Sequence, residues 1–280
     1  MNAREYALQA NGSFALPDAC FKVKALMEDE NSEISDFADV ISVDPSMTSR
    51  LLQIANSAIY NFPGQISTIS RAITIIGTQA IYNMMLVDVA ASAFKHFENQ
   101  AIDLKRFWRM SVYCGLVSKN LAIKAGIKDI ERLFVAGLLQ NFGELLVAKI
   151  SPEIAQRCEQ YNRNNSPWHI QELALGYTYT DISAELLKIW QLPEKIIIPI
   201  RHFNQAKSNQ INNDVKVLNL ASRLALLDSH SDLFQYDEVI DESLCTSLKL
   251  SKEDIEQVSE IAANDAQGIL TVMNPKLFSR

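Results

Sequence analysis

Positive charge is scarce in this sequence of 280 residues: 26 Lys and Arg stand against 33 Asp and Glu, a formal charge of −7. A long contact with phosphate backbones needs clustered cations, so nucleic acid is not an expected partner. The four cysteines, Cys20, Cys114, Cys158 and Cys245, lie far apart with no CxxC pair, which argues against a thiolate metal site and for isolated buried thiols. The four histidines, His96, His169, His202 and His230, are equally scattered. Glycine (9) and proline (8) are sparse, and no low-complexity tract, fixed-period repeat or long linker is present. No uninterrupted apolar run reaches the ~18 residues of a membrane span. The opening MNAREYALQANGSFALPDAC has no basic stretch followed by an apolar core, so neither a secretory leader nor a transit peptide is expected. The cytoplasm is the expected location.

What is present is helix-forming sequence. Hydrophobic residues make up 48% of the chain, and they recur at helical rather than alternating spacing, so an all-α, two-lobed helical bundle is expected. Asp44-Pro45 is a strong helix start, since the carboxylate accepts from free amides and proline is preset for the first helical position. Ser151-Pro152 and Ser166-Pro167 repeat the device, and Ser251 to Asp254 reads as a capping box opening a final amphipathic helix. Helices are expected near 17–30, 33–42, 45–57, 68–76, 78–96, 103–125 and 129–149, with Gly77 closing or turning the fourth. Further helices follow the two Ser-Pro starts, run to Trp190, carry Arg201, span 215–227 and begin after Ser251. The polar segment 206–214 reads as an exposed loop. Residues 1–98 form the expected first lobe and 99–280 the second, together one domain.

The run Phe134 to Leu146, FVAGLLQNFGELL, resembles the AGLLHDIGKL helix of HD-superfamily phosphohydrolases, in which adjacent His and Asp each hold a metal ion. Gln140 and Asn141 stand at those two places, and a neutral amide is a poor transition-metal ligand. The other ligand places differ as well. Phe107-Trp108-Arg109-Met110-Ser111 resembles FWRHS with Met110 for the first His, and Leu175 to Leu187 resembles LGFDHAEVGAALL with Tyr179 for a later one. Leu192 to Asn204 resembles LPEELVEAIRYHH, aligning the paired His with Phe203 and Asn204 and leaving His202 one place early. Leu220 to Ala225 resembles LADRLA with Ser222 for the closing Asp.

In the first lobe, Asp44 to Tyr60, DPSMTSRLLQIANSAIY, closely resembles the DPxLTxRLLRLANSAxY signature of the HDOD family, HD-related output domains of bacterial signalling. Leu16-Pro17 and Ile66 to Gly77 match that family's LP and IxSIxxAIxxLG elements. The resemblance implies a two-lobed fold with an HD-like second lobe, a degenerate metal site, no cofactor, and signalling proteins as partners. Asp44, Pro45, Arg50, Asn56, Ser57, Tyr60 and Gly77 carry the signature, and their physical reading is structural. Asn56 in particular stands where a helix ends and its amide can tie down the exit of the chain.

Two classes of function follow. One is a non-catalytic module acting through protein contacts, with a remnant pocket lined by Met110, Gln140, Asn141, Tyr179, Phe203 and Ser222, and with His202 nearby, open to a small ligand such as a nucleotide. The other is a phosphohydrolase with unusual ligands, for which His202 with Glu144 or Asp181 are the available groups.

Overall fold

Helix boundaries in this chain follow side-chain chemistry that is readable residue by residue. The structure, a computed structural model, describes residues 1–11, 17–57, 65–93, 101–206, 211–273 and 278. In chain order the helices are α1 (Ala3–Asn11), α2 (Asp18–Glu28), α3 (Ile34–Ser42), α4 (Pro45–Ala55), α5 (Ile69–Ile76), α6 (Thr78–Ala93), α7 (Leu104–Lys124), α8 (Glu131–Leu139) and α9 (Phe142–Ile150). They continue as α10 (Pro152–Cys158), α11 (Pro167–Leu175), α12 (Tyr179–Ile189), α13 (Glu194–Arg201), α14 (Asn213–Ser229), α15 (Tyr236–Val239), α16 (Glu242–Ser247) and α17 (Lys252–Met273). Among the described residues there is no strand, only an isolated antiparallel bridge between Asn162 and Asn165. The all-α reading of the sequence therefore holds.

The chain divides into two units. One comprises Ala15–Phe97 with Gln267–Arg280, the other Met1–Phe14 with Glu98–Ala266. The ends thus depart from the expected 1–98 and 99–280 division. At the amino terminus the reason is α1, a helix the sequence reading did not foresee: Tyr6 is buried and its hydroxyl donates to Ser151 Oγ at 2.9 Å, which fixes α1 to the start of α10.

In the smaller unit, Asp44 accepts from the amides of Ser46 (2.8 Å) and Met47 (3.1 Å) and so starts α4. One turn on, Arg50 reaches the buried carboxylate of Asp88 on α6 through Nε and, at 2.9 Å, Nη2, while Nη1 donates to Ser46 Oγ. At the far end of α4 the Asn56 amide donates to Leu52 O (2.7 Å) and Ile66 O (2.8 Å) and accepts from Ile66 N (2.8 Å). Asn56 itself is exposed, but it joins the exit of α4 to the strand-like residues before α5, and Ser57 Oγ donates to Ile54 O at 2.6 Å beside it. Thr68 caps α5, and Gly77, at φ +88°, takes a conformation L side chains rarely adopt and turns the chain through 119° into α6. Tyr60 and His96, both singled out in the sequence, fall outside the described residues.

In the larger unit α7 is the central helix, packed by α8 and α14. Close approach depends on glycine: a Cβ on Gly137 would lie 2.8 Å from Cys114 O and from Ser118 Oγ of α7. The single helix expected over 129–149 is two. Asn141, at φ −105° and ψ 14°, leaves helical geometry, and the restart at Phe142 presses Gly143 against α12, where a Cβ would meet Tyr179 O. The Gly143 amide donates to Ser183 Oγ at 2.8 Å and that hydroxyl donates to Tyr179 O at 2.9 Å, locking the two helices together. Taken together, Glu131–Ile150 is the one described stretch apolar and long enough to cross a membrane, and 83% of it is buried inside the protein. Of the expected loop 206–214, residues 207–210 lie outside the described residues, and its end belongs to α14, which Asn212 caps through the Asp214 amide at 3.0 Å. Ser251 and Asp254 form the expected box at the start of α17, with Ser251 N donating to Asp254 at 3.0 Å and Asp254 N to Ser251 at 3.1 Å. All four cysteines are buried free thiols.

Replacing Asn56 with Ala removes one acceptor and one two-fold donor from partly shielded backbone groups, a loss of about 1–2 kcal/mol. The expected outcome is a melting temperature lowered by a few degrees, roughly 2–4 °C per kcal/mol in a domain of this size. An unchanged melting curve for Asn56→Ala would show that water replaces these bonds at no cost.

Candidate functional site

The candidate site is built around α7, α8 and α9. Arg106 and Met110 are one helical turn apart on α7 and share a face, and Glu144 lies one turn beyond Gln140 and Asn141. Five residues that the sequence placed at metal-ligand positions, Met110, Gln140, Asn141, Tyr179 and Ser222, do converge on one cavity of about 40 Å³. Phe203 and His202 do not. Phe203 is buried one layer away, its ring 5.8 Å from Trp168, and His202 faces Gln205, with Nδ1 3.1 Å from Oε1. Asn204, the other candidate in that register, donates to Thr178 Oγ1 at 3.3 Å.

The cavity is dominated by groups the sequence reading passed over. Arg106 donates through Nη2 to Glu144 Oε1 at 3.2 Å, through Nη1 to Glu159, and through Nη1 to the Tyr161 hydroxyl at 3.3 Å. Asn141 Nδ2 donates to the other oxygen of Glu144. Glu144 is 5% exposed, so its carboxylate is held by a guanidinium and an amide in place of solvent. From Tyr161 the network reaches outward to His230 Nε2 at 2.9 Å. If Arg106 donates to Tyr161, the phenol donates in turn to a neutral imidazole, which agrees with a His230 pKa lowered by burial and by Arg106. Burial also pushes the Glu144 carboxyl up from 4.5 to about 7, with Glu159 adding to the rise, although Arg106 and Asn141 pull the other way. Arg106 itself is raised: burial opposes its charge, and Glu144 and Glu159 outweigh that opposition.

The wall opposite comes from α11, which brings Pro167, Trp168 and Gln171 over the cavity. Gln171 Oε1 accepts from Tyr179 N at 2.9 Å, and the Arg223 guanidinium lies 4.9 Å above the Trp168 ring while Nε holds Asn219 at 2.7 Å. Tyr179 is 2% exposed, and burial together with Glu144 and Cys158 raises its phenol far above the ordinary value. Glu144 was weighed in the sequence at four residues after Gln140, and the same helical spacing was the signal that would have found Arg106 four residues before Met110. Glu159, Tyr161 and Trp168 arrive from loops and helix ends distant in sequence.

These donors do not fit a transition metal. Amide, thioether, phenol and hydroxyl replace imidazole and carboxylate, and the two carboxylates present are committed to Arg106. Among the described residues no three His, Cys, Asp or Glu side chains are grouped to hold a metal ion. Asp181, the other carboxylate considered, is spent on Thr178, accepting from its amide and hydroxyl at 2.8 Å each.

The chain is similar over its whole length to several solved structures. A candidate phosphohydrolase from Shewanella amazonensis SB2B has a TM-score of 0.70 at 22% identity, covering 97% of this chain and 98% of its own. An HDOD domain protein of unknown function from Geobacter sulfurreducens has a TM-score of 0.70 at 19% identity, covering 99% and 98%. A candidate signal-transduction protein from Marinobacter aquaeolei VT8 has a TM-score of 0.71 at 20% identity, with 95% of this chain matching 59% of that one. At these identities the likeness speaks for the fold. In sequence, an uncharacterized protein of Treponema pallidum (strain Nichols) is 26% identical over 193 residues, 68% of this chain, and the chain spans 37% of that protein's length. The HDOD domain model matches residues 14–206, which takes in the Asp44 signature, α7 and the Gln140-Asn141 pair, and the chain belongs to the HDOD family.

Proposed function

We propose that this chain is a non-catalytic regulatory module of bacterial signal transduction that acts through protein contacts in the cytoplasm, with a site once built for metal ions now closed by internal charge. The observation that carries the reading is the Arg106 guanidinium, bound to Glu144 and Glu159 in the cavity formed by Met110, Gln140, Asn141 and Ser222. A fixed cation there engages both carboxylates that would otherwise attract a metal and offsets one of their two charges, and it brings no open coordination position to activate water. Both oxygens of Glu144 are engaged, by Arg106 and by Asn141, which does not suit a general base. The cavity supports the same reading by its size: small-molecule sites occupy roughly 300–1,000 Å³, and about 40 Å³ admits no phosphoester or nucleotide. A cavity of that size has no room for such a substrate, which supports protein contacts as the mode of action.

Metal analysis of protein purified without added metal, paired with a phosphatase and phosphodiesterase screen in manganese, iron or zinc, tests the proposal. The expected result is substoichiometric metal and no metal-dependent turnover. One equivalent of bound transition metal, lost together with activity in Asn141→Ala, would overturn it.

The ion cluster yields two further expectations. Arg106→Met leaves Glu144 and Glu159 with no counter-charge, a destabilisation of about 2–4 kcal/mol given that the pair is mostly buried. Thermal melting should show it, and adding Glu144→Gln should recover part of the loss. A Met variant that melts like the parent would mean the cluster contributes nothing.

The second concerns pH. Because the folded state holds the Glu144 proton up to about 7 against 4.5 when unfolded, stability from this group is full below 4.5 and is lost as pH rises through about 7. Relative to the Glu144→Gln variant, the parent should therefore lose melting temperature between about pH 5 and about pH 8. Parallel curves would place the Glu144 titration at its ordinary value.

A further inference from the structure

The side-chain oxygen of Gln140 is shut away from solvent and accepts no hydrogen bond among the described residues, although Gln140 is only 6% exposed. A buried acceptor without a donor is costly, and a polar cavity beside it is where the missing donor belongs. Gln140 lines the same cavity as Glu144, Glu159 and Arg106. Two carboxylates there face one guanidinium, and the remaining wall groups, among them the Ser222 hydroxyl and the Met110 thioether, bring no second cation. The cavity therefore holds one more formal negative than positive charge, and among the described residues its other unpartnered polar group is the Tyr179 hydroxyl. Its volume of about 40 Å³ suits a species the size of one or a few waters.

We infer that this cavity is a binding site for a small monovalent cation of the potassium or ammonium class, seated between the Gln140 side-chain oxygen and the Glu144 carboxylate beside Arg106. Carbonyl and carboxylate oxygens are donors for hard cations. A divalent ion would leave an excess of buried positive charge next to Arg106, which is unfavourable at low dielectric. A quaternary ammonium is too large to enter. The upward push on the Glu144 carboxyl has the same origin, since a proton is the other way to supply the missing charge. The inference rests on the reading of the site as one whose metals have been exchanged for internal charge, but the two fail separately. Transition-metal content and turnover test that reading, and dependence on monovalent cations tests this one.

The experiment is thermal melting of the whole protein at about pH 8, where Glu144 is ionised, in about 100 mM potassium, ammonium or tetramethylammonium chloride. A cation that binds only the folded state raises the melting temperature, and a gain of about 3 °C in potassium or ammonium over tetramethylammonium is expected. Gln140→Leu should abolish the gain, and Gln140→Glu, which adds a carboxylate at the same place, should enlarge it. Equal melting in all three salts would mean that water alone fills the cavity and would overturn the inference. So would a gain that persists in Gln140→Leu, or one that fails to grow in Gln140→Glu.

Discussion

Arg106 sits between Glu144 and Glu159, with Tyr161 as a third acceptor, and this arrangement ties together elements of the larger unit that are distant in sequence. A lone guanidinium in a helical core is expensive, and so is a lone carboxylate; they persist because each desolvated charge has a partner at hydrogen-bonding distance. The partners come from α7, α9 and the end of α10, so the cluster holds three helices in one register. It also explains why Asn141 stands outside helical geometry: its amide is turned to the second oxygen of Glu144, and the chain restarts as α9 immediately afterwards. The break between α8 and α9 and the closure of the cavity are two faces of one local solution.

Around this centre, packing is set by residues too small to be noticed by hydrophobicity. Gly137 lets α8 approach α7, and Gly143 lets α9 touch the first turn of α12, which in turn places Tyr179 at the cavity wall. Convergence of these helices on one cavity has to be held by contacts of the protein itself. Here the same convergence is achieved by glycine-mediated contact, by the Ser183 hydroxyl bridging Gly143 and Tyr179, and by an ion cluster. Beside the cavity, the Trp168 ring packs against Phe203 and under the Arg223 guanidinium. The smaller unit follows a similar logic on a smaller scale, with the buried Asp88 carboxylate answered by Arg50 from the signature helix.

Fold class and family were legible in the sequence because both rest on local rules. Asp44-Pro45, Ser166-Pro167 and the Ser251–Asp254 box are short-range chemistry, and each begins a helix where it was expected to. The neutral side chains at Met110, Gln140, Asn141, Tyr179 and Ser222 were legible for the same reason: side-chain identity at a motif position is set before any folding takes place. Their convergence on one cavity agrees with the motif alignment. Phe203 and His202 were assigned by sequence register alone, and the short 3-10 turn that follows α13 rotates them away, Phe203 inward to Trp168 and His202 to Gln205.

What the tertiary structure alone decided is what fills the site. Nothing in the run FVAGLLQNFGELL says that a guanidinium from α7 will meet Glu144, nor that Glu159, fifteen positions further along, will complete the pair. Nor could sequence say whether the emptied pocket stays open, because volume depends on how closely α7, α9, α11 and α12 approach, and that distance is fixed by glycines and ion pairs acting between helices far apart in the chain. The sequence by itself determined that the chain is helical, where many of its helices begin, to which family it belongs and that neutral side chains stand at Met110, Gln140, Asn141, Tyr179 and Ser222. The three-dimensional packing determined that Arg106, Glu144 and Glu159 meet beside those side chains, since electrostatic pairing acts through space and leaves no periodic trace along the chain.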